Sequence, residues 1–161
     1  MKHTWSNPVP YDLTRSKQRA SIPKEFLSRV PESSGAYVIF RKGVGDISKV
    51  ILDIGEAGPR PNSTPHGLRG RLATTVSHSA SEKIARDIRN GDILCDICVI
   101  WFETESKSLA KDLQDALITL FRREYGLQPV YNSRLELHPR PDVYVEAFVQ
   151  LKKKLDCLAL K

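Results

Sequence analysis

The chain has 161 residues, of which 40% are hydrophobic and 27% are charged, and these values are typical of a globular protein with one core. No apolar run approaches the roughly 20 residues of a membrane-spanning helix, and the first residues lack the apolar stretch of a signal peptide. We therefore expect a cytoplasmic protein that does not engage a membrane. The formal net charge of +6 favours a polyanionic partner, although a basic protein without one fits this charge equally well.

The residues before position 34 are rich in proline, serine and basic side chains. They predict an N-terminal arm followed by a short helix over residues 21–29, with Ser21 as the N-cap and Pro23 in the first turn. The cations of the arm could follow a nucleic-acid backbone or simply lie in solvent. These cations are Arg15, Lys17, Arg19 and Lys24.

Three later stretches have the composition of β-strands. Residues 35–42 and 49–55 are joined by a short connection, which predicts a hairpin. Tyr37 and Asp53 then lie on neighbouring strands, where side chains on one face approach each other. Residues 93–102 are nearly all apolar, so they predict the most buried strand.

Two of the three cysteines lie in or beside that last stretch. Cys95 and Cys98 form a C-x-x-C pattern, but residues three apart in a strand point to opposite faces and are badly placed to bind one metal ion. An odd number of cysteines also argues against a disulfide framework. We expect two buried thiols, with a zinc site as the alternative.

The segment after the second strand combines glycines, prolines and arginines. A loop begins at Gly55, and the helix that follows it carries Arg69 and Arg71. Backbone N–H groups and guanidinium groups at such a strand end can surround a phosphate. Asp53 needs an explanation of its own, because a carboxylate in a buried strand is costly without a partner.

Two further amphipathic helices are predicted in the second half of the chain. The longer one covers residues 106–125 and ends at Gly126. Gln114 falls on its apolar face, where an amide needs hydrogen-bond partners or a site to face. The last helix covers residues 142–158. We expect it to pack on the domain, with the seam of a homodimer as the alternative.

Over residues 34–133 the chain resembles the GIY-YIG nuclease family. Five short motifs carry this resemblance, in the order and on the elements typical of the family: GAY at 35–37, DIG at 53–55, RGRL at 69–72, LQDALI at 113–118 and PVYN at 129–132. The resemblance implies an α+β fold with a small three-stranded antiparallel sheet flanked by helices. Residues 1–33 and 134–161 then add an N-terminal arm with its short helix and a C-terminal helix.

The resemblance also implies metal-dependent cleavage of phosphodiester bonds in nucleic acid, with DNA as the expected substrate and Mg²⁺ or Mn²⁺ as the cofactor. Tyr37 matches the family's first tyrosine, Arg71 its arginine and Asn132 its late asparagine. A phenol beside a guanidinium can take part in proton transfer, the guanidinium can stabilise phosphoryl oxygens, and the amide can hold the site together. The side chains expected to contact the nucleic acid are Arg69, Arg60, Lys42 and His78.

Two positions depart from the family pattern. Asp53 stands where the family has its second tyrosine, and Gln114 stands where the family has its metal-binding glutamate. A neutral amide oxygen is a weaker ligand for Mg²⁺ than a carboxylate. We therefore expect an active endonuclease with a rearranged site, in which Asp53 is catalytic and binds the metal together with Gln114.

Two alternatives remain open. The fold could be retained as a catalytically inactive module that binds nucleic acid or regulates, with Asp53 paired to an arginine; binding would then weaken with salt while no cleavage occurs. The chain could instead be a protein-interaction or oligomerisation domain that acts through its C-terminal helix. A surface without a contiguous basic patch would favour that last function.

Overall fold

An antiparallel sheet organises the whole chain. The computed structural model describes residues 3–59, 66–73, 79–134 and 137–159. Five strands lie within these ranges: β1 (Val9–Leu13), β2 (Ala20–Ser21), β3 (Ser34–Arg41), β4 (Ile51–Ala57) and β5 (Ile97–Thr104). Their order across the sheet is β2-β1-β5-β3-β4, and every neighbouring pair is antiparallel. The expected α+β class is confirmed, but the sheet has five strands and not three.

The two additional strands come from the segment that was expected to be a basic arm. β1 lies along β5, with Val9 opposite Val99 and Tyr11 opposite Ile97. A proline within β1 weakens its strand pattern, and its pairing partner is far along the chain, so local reasoning did not detect it. Ser21 lies in β2 and does not cap a helix; the 3₁₀ helix that follows covers Lys24–Arg29.

Helices cover both faces of the sheet. They are α1 (Ile47–Val50), α2 (Gly67–Leu72), α3 (Ser79–Arg89), α4 (Lys107–Tyr125) and α5 (Val145–Ala159), and a 3₁₀ helix at Pro141–Tyr144 precedes α5. α2 and α3 lie on one face, and α4 and α5 lie on the other. Among the described residues, no helix is both long enough and apolar enough to cross a membrane.

The long helix α4 begins and ends as its sequence predicts. The hydroxyl of Ser106 accepts a hydrogen bond from the N–H of Leu109, which is an N-cap. Gly126 at the other end has a positive φ of 76° and closes the helix in the left-handed conformation. These two caps fix the position of Gln114 in the middle of the helix.

The sheet separates two apolar cores. The core under α2 and α3 contains Tyr37 and Ile39, whereas the core under α4 and α5 contains Val38 and Ile100. Cys95 packs against the first core and Cys98 lies in the second. The two thiols of the C-x-x-C pattern therefore lie on opposite faces of the sheet, a poor arrangement for a shared zinc ion. Cys98 is buried as expected, whereas Cys95 precedes β5 and is only half-buried.

The predicted hairpin of β3 and β4 is present, but α1 covers residues 47–50, so β4 begins at Ile51 and not at residue 49. The pairing also has one irregularity. Tyr37 is opposite Gly55 and Ile39 is opposite Asp53, but the register shifts at the next position of β3. This shift leaves Leu52 as an extra residue in β4, beside Asp53, and such bulges often re-aim side chains next to active sites. β4 is also the last strand of the sheet, so its outer edge is available to other segments.

Candidate active site

A cavity of about 350 Å³ opens beside the outer edge of β4. It is lined by all of the residues that the sequence predicted to be catalytic or to bind metal: Tyr37, Asp53, Arg71, Gln114 and Asn132. These side chains come from β3, β4, α2, α4 and the loop after α4. Segments that are far apart in the chain therefore meet at one place.

Tyr37 lies directly against the backbone of the opposite strand. A Cβ atom added at Gly55 would be 2.2 Å from Cζ of Tyr37 and 2.3 Å from its hydroxyl oxygen, so only glycine leaves room for the ring. Burial raises the pKa of Tyr37 to about 12, the charge of Asp53 adds to this rise, and Arg71 opposes it. The phenol is therefore neutral near pH 7 and acts as a hydrogen-bonding group, not as a base.

Arg71 reaches this tyrosine from α2. Its Nε donates to the Tyr37 hydroxyl over 3.4 Å, which is long for a hydrogen bond. Burial alone would lower the pKa of Arg71, but its neighbours Tyr37, Glu56 and Asp53 outweigh burial, so the pKa rises. The cavity thus contains a permanent positive charge beside the neutral phenol.

Asp53 is the most deeply buried acid of the cavity, with only 5% of its surface exposed. Within the described ranges its carboxylate forms no hydrogen bond and no salt bridge. Burial raises the pKa of Asp53 to about 6, although the charges of Arg71 and Lys83 act in the opposite direction. Arg71 is thus an electrostatic neighbour of Asp53 and not its ion-pair partner. A carboxylate with this pKa can accept a proton at neutral pH.

Asn132 has both of its amide atoms occupied by the edge of β4. Its Oδ1 accepts from the N–H of Ile54 at 2.9 Å, and its Nδ2 donates to the carbonyl of Ile54 at 2.8 Å. The N–H of Tyr131 also donates to the carbonyl of Leu52 at 2.9 Å. Asn132 therefore holds the wall of the cavity in place and acts as a positioning residue.

Gln114 faces the cavity from α4, as the predicted metal ligand would. Its Nε2 donates to Oδ1 of Asp115 at 3.0 Å, which leaves the amide oxygen as its available ligand atom. The described residues contain no group of three or more His, Cys, Asp or Glu side chains that could hold a metal ion. Mg²⁺ needs only one or two protein carboxylates when waters and substrate phosphates complete its shell, and two acids line this cavity, Asp53 and Glu56. These oxygen ligands fit a hydrated divalent cation.

Three charged residues of the cavity were not predicted from the sequence: Glu56, Lys111 and Arg134. Their spacing from the predicted site residues could have indicated that all three line the site. Glu56 follows the DIG motif directly, and Lys111 precedes Gln114 by three positions, which places both on one face of α4. Arg134 comes two residues after Asn132 and is exposed at the cavity. Nζ of Lys111 donates to Oδ1 of Asp115 at 2.7 Å, so Arg71 and Arg134 are the cations of the cavity that best suit a phosphate group.

Neither of the two described side chains that were expected to contact nucleic acid lines this cavity. Nε of Arg69 donates to the carbonyl of Val30 at 2.7 Å, and this arginine lines a different groove. Residues two apart in a helix point in nearly opposite directions, so Arg69 and Arg71 cannot face the same site. Lys42 is exposed beyond the end of β3 and lines a separate depression. Arg60 and His78 lie outside the described residues.

The start of α2 was expected to present free N–H groups to a phosphate, and it does not. The N–H groups of Leu68 and Arg69 donate to the carbonyls of Ser33 and Pro31, each at 3.0 Å. Gly67 permits this contact, because it has a positive φ of 58° and a Cβ atom there would lie 2.3 Å from the Ser33 carbonyl oxygen. The segment before β3 therefore satisfies these two N–H groups, which are not available to a phosphate.

None of the protein families, curated proteins or solved structures compared with this chain matches it. The functional argument therefore depends on the cavity. It holds a carboxyl with a pKa of about 6 (Asp53), a neutral phenol (Tyr37) and a protonated guanidinium (Arg71). Together these groups can accept a proton, donate a hydrogen bond and neutralise an oxyanion.

Proposed function

We propose that this protein is a metal-dependent phosphodiesterase, an endonuclease acting on DNA, with the site of a GIY-YIG nuclease rearranged around Asp53. The observation that carries the proposal is the meeting of Tyr37, Asp53, Arg71 and Asn132 in one cavity at the edge of β4. Packing of the core alone does not require a buried acid, a phenol and a guanidinium from three separate elements to meet in one cavity.

Asp53 is the general base in this proposal. Its pKa of about 6 lies close to the operating pH, which is where a catalytic base combines the correct protonation state with sufficient basicity. It accepts the proton of the attacking water, a role that Tyr37 cannot fill while its pKa is about 12. The aspartate thereby replaces the second tyrosine of the family.

Tyr37 and Arg71 act on the phosphate. The neutral phenol can donate a hydrogen bond to a phosphoryl oxygen, and the guanidinium neutralises charge that develops there. Asn132 keeps the wall of the cavity in register with β4 through Ile54. A bound Mg²⁺ or Mn²⁺ would supply charge neutralisation at the phosphate, and the cavity offers it the side-chain oxygens of Glu56 and Gln114 while Asp53 acts as the base.

The decisive experiment is a cleavage assay on plasmid and branched DNA with Mg²⁺, Mn²⁺ and Ca²⁺. We expect cleavage by the wild type with Mg²⁺ or Mn²⁺, and a loss of about 10²–10⁴-fold for Asp53→Asn. Arg71→Ala should lose about 10²–10³-fold, because it removes a positively charged donor from the phosphate. Arg140→Ala, at an exposed arginine outside the cavity, is the matched control and should cleave normally. Absence of cleavage with every metal would contradict the proposal.

A catalytically inactive nucleic-acid-binding module is the second candidate function. The amide at Gln114, in the position of the family's metal-binding glutamate, favours it, as does the exposed cation Arg134 that lines the cavity. DNA binding should then weaken steeply between 50 and 200 mM salt while no metal supports cleavage. Cleavage that appears only in Gln114→Glu would support this function over the first.

A further inference from the structure

Glu56 occupies an unusual position in the cavity. Its Oε2 atom is buried and has no hydrogen-bond partner among the described residues, and the side chain lines the same cavity as Gln114 and Arg71. Its charge is close enough to raise the pKa of both Tyr37 and Arg71, yet it forms no salt bridge with Arg71. A buried carboxylate oxygen without a partner is costly, so this atom suits a ligand from outside the chain.

The side chain of Glu56 lies on the face of the sheet that is covered by α4, the helix that carries Gln114. Glu56 pairs with Ala36 in the hairpin, and Ala36 lies in the core under α4. Asp53 is opposite Ile39, which belongs to the core on the other face of the sheet. Because side chains alternate along a strand, Glu56 and not Asp53 is on the face of β4 that α4 covers.

We propose that Glu56 is the carboxylate ligand of a divalent cation and that Gln114 supplies a neutral amide oxygen to the same ion. In the family the metal-binding carboxylate lies on the helix that corresponds to α4. In this chain the carboxylate lies on β4 instead. One carboxylate is enough for a Mg²⁺ or Mn²⁺ ion that keeps several waters and binds phosphate oxygens. This inference rests on the proposed phosphodiesterase function, which gives the bound ion its role. Asp53 then serves in proton transfer and is not a metal ligand.

Metal binding can be measured without nucleic acid, by titrating the full chain with Mn²⁺ at pH 7.5 and following the free ion by electron paramagnetic resonance. We expect Glu56→Gln to weaken Mn²⁺ binding by at least about 10–100-fold, the loss that removal of an outer-shell partner of a metal ligand already causes. Asp53→Asn should weaken it less than Glu56→Gln does, because it removes a nearby charge and not a ligand. Glu105→Gln, an exposed glutamate after β5, is the control and should bind like the wild type.

A swap of the two side chains tests whether they share one ion. Gln114→Glu alone should tighten Mn²⁺ binding, and the double variant Glu56→Gln/Gln114→Glu should recover most of the affinity that Glu56→Gln loses. The single Gln114→Glu variant keeps the test valid even if Glu56→Gln does not fold, which circular dichroism would show. Failure of Gln114→Glu to tighten binding would overturn the shared site.

Three other outcomes would overturn the proposal: no Mn²⁺ binding by the wild type, unchanged binding by Glu56→Gln, or a larger loss in Asp53→Asn than in Glu56→Gln. Cleavage assays on the same variants separate this inference from the proposed function. Metal binding that depends on Glu56 without any cleavage would refute the phosphodiesterase and leave the ion site standing. Full cleavage by Glu56→Gln would refute the role of Glu56 and leave the phosphodiesterase standing.

Discussion

Asp53 and Tyr37 lie on neighbouring strands of the hairpin and have complementary acid–base character. Burial raises the pKa of both, to about 6 for Asp53 and to about 12 for Tyr37. At pH 7.5 the carboxyl is mostly ionised and the phenol is neutral. One physical cause, the exclusion of water from this face of the sheet, thus produces a proton acceptor beside a hydrogen-bond donor.

The raised pKa of Asp53 has a consequence for stability. A carboxyl with a pKa of 3.8 when unfolded and about 6 when folded holds its proton more tightly in the fold, so stability falls as the pH rises from 3.8 to about 6. The loss is about 3 kcal/mol, at about 1.4 kcal/mol per pKa unit, and it persists at neutral pH. We expect Asp53→Asn to be more stable than the wild type at pH 7.5, by about 1–3 kcal/mol, while its cleavage activity is lost.

Urea unfolding at pH 4 and pH 7.5 measures this effect as a difference between variant and wild type. The gain should be large at pH 7.5 and small at pH 4, where the wild-type carboxyl is protonated in the fold. Asp156→Asn, at an exposed position of α5, is the control and should be about as stable as the wild type at pH 7.5. A variant that is less stable than the wild type at pH 7.5 would contradict the burial of an ionised Asp53.

Gly55 sets the position of the Tyr37 ring. A methyl group at this position would overlap the ring at 2.2 Å, so Gly55→Ala must displace the phenol from Arg71. We expect the variant to lose about 1–3 kcal/mol of stability, as overpacked sites do, together with most of its cleavage activity. Gly45→Ala is the matched control, since a Cβ atom there meets nothing within 4 Å. Equal effects of the two substitutions would show that the ring is not confined by residue 55.

At the scale of elements, the outer edge of β4 is the place where the site is assembled. This strand has one neighbour in the sheet, β3, and the segment around Asn132 covers part of its other edge. Unpaired strand edges invite pairing with other chains, and proteins commonly cover them with a loop. The covering segment here also forms a wall of the cavity, so the same segment both covers the edge of β4 and shapes the site.

Removal of the Asn132 amide should therefore affect both stability and the site. Asn132→Ala deletes two hydrogen bonds to Ile54, and we expect a loss of about 1–3 kcal/mol, because the backbone groups of Ile54 lose their partners. Amide hydrogen exchange at Ile54 should accelerate more than exchange at the centre of β3. Asn90→Ala, at the exposed end of α3, should leave both measurements unchanged. Unaltered protection of Ile54 in Asn132→Ala would refute this role.

At the scale of the whole molecule, the two ends of the chain are tied to the domain. Trp5 donates through Nε1 to the carbonyl of Ala147 in α5 at 2.9 Å. On α5, the side chains of Phe148, Leu151 and Leu155 are buried in the core under that helix. The centre of the apolar row that the sequence offered either to the domain or to a homodimer seam is therefore covered within the chain.

Leu151 tests this packing, because it is fully buried at 0% exposure whereas Leu94 is 90% exposed. Leu151→Ala should cost about 2–5 kcal/mol in the free energy of unfolding, the usual range for a leucine removed from a core. Leu94→Ala should lie within about 0.5 kcal/mol of the wild type. Urea unfolding measures both values, and size-exclusion mass should stay the same in both variants. A smaller mass for Leu151→Ala with unchanged stability would instead place this residue in an oligomer seam.

Much of the local structure could be predicted from the sequence. The β3–β4 hairpin follows from composition and a short connection, and α4 follows from its apolar period and its two caps, because these signals act between residues close in the chain. Asp53 stands out as an acid within an apolar strand, and the choice of Tyr37 and Arg71 follows from the resemblance of their motifs to the GIY-YIG family. These features need no knowledge of distant segments.

The tertiary structure decided what depends on contacts between distant segments. β1 is a strand because it pairs with β5, and no short-range pattern encodes that pairing, so an expected basic arm became part of the sheet. The directions of Arg69 and Arg71 depend on where α2 docks, and only Arg71 faces the cavity. The sequence by itself thus determined the elements that have local signals, such as α4, and most of the reactive groups. Packing at the edge of β4 decided which of these groups meet and that Glu56 joins them, because it brings together segments distant in the chain.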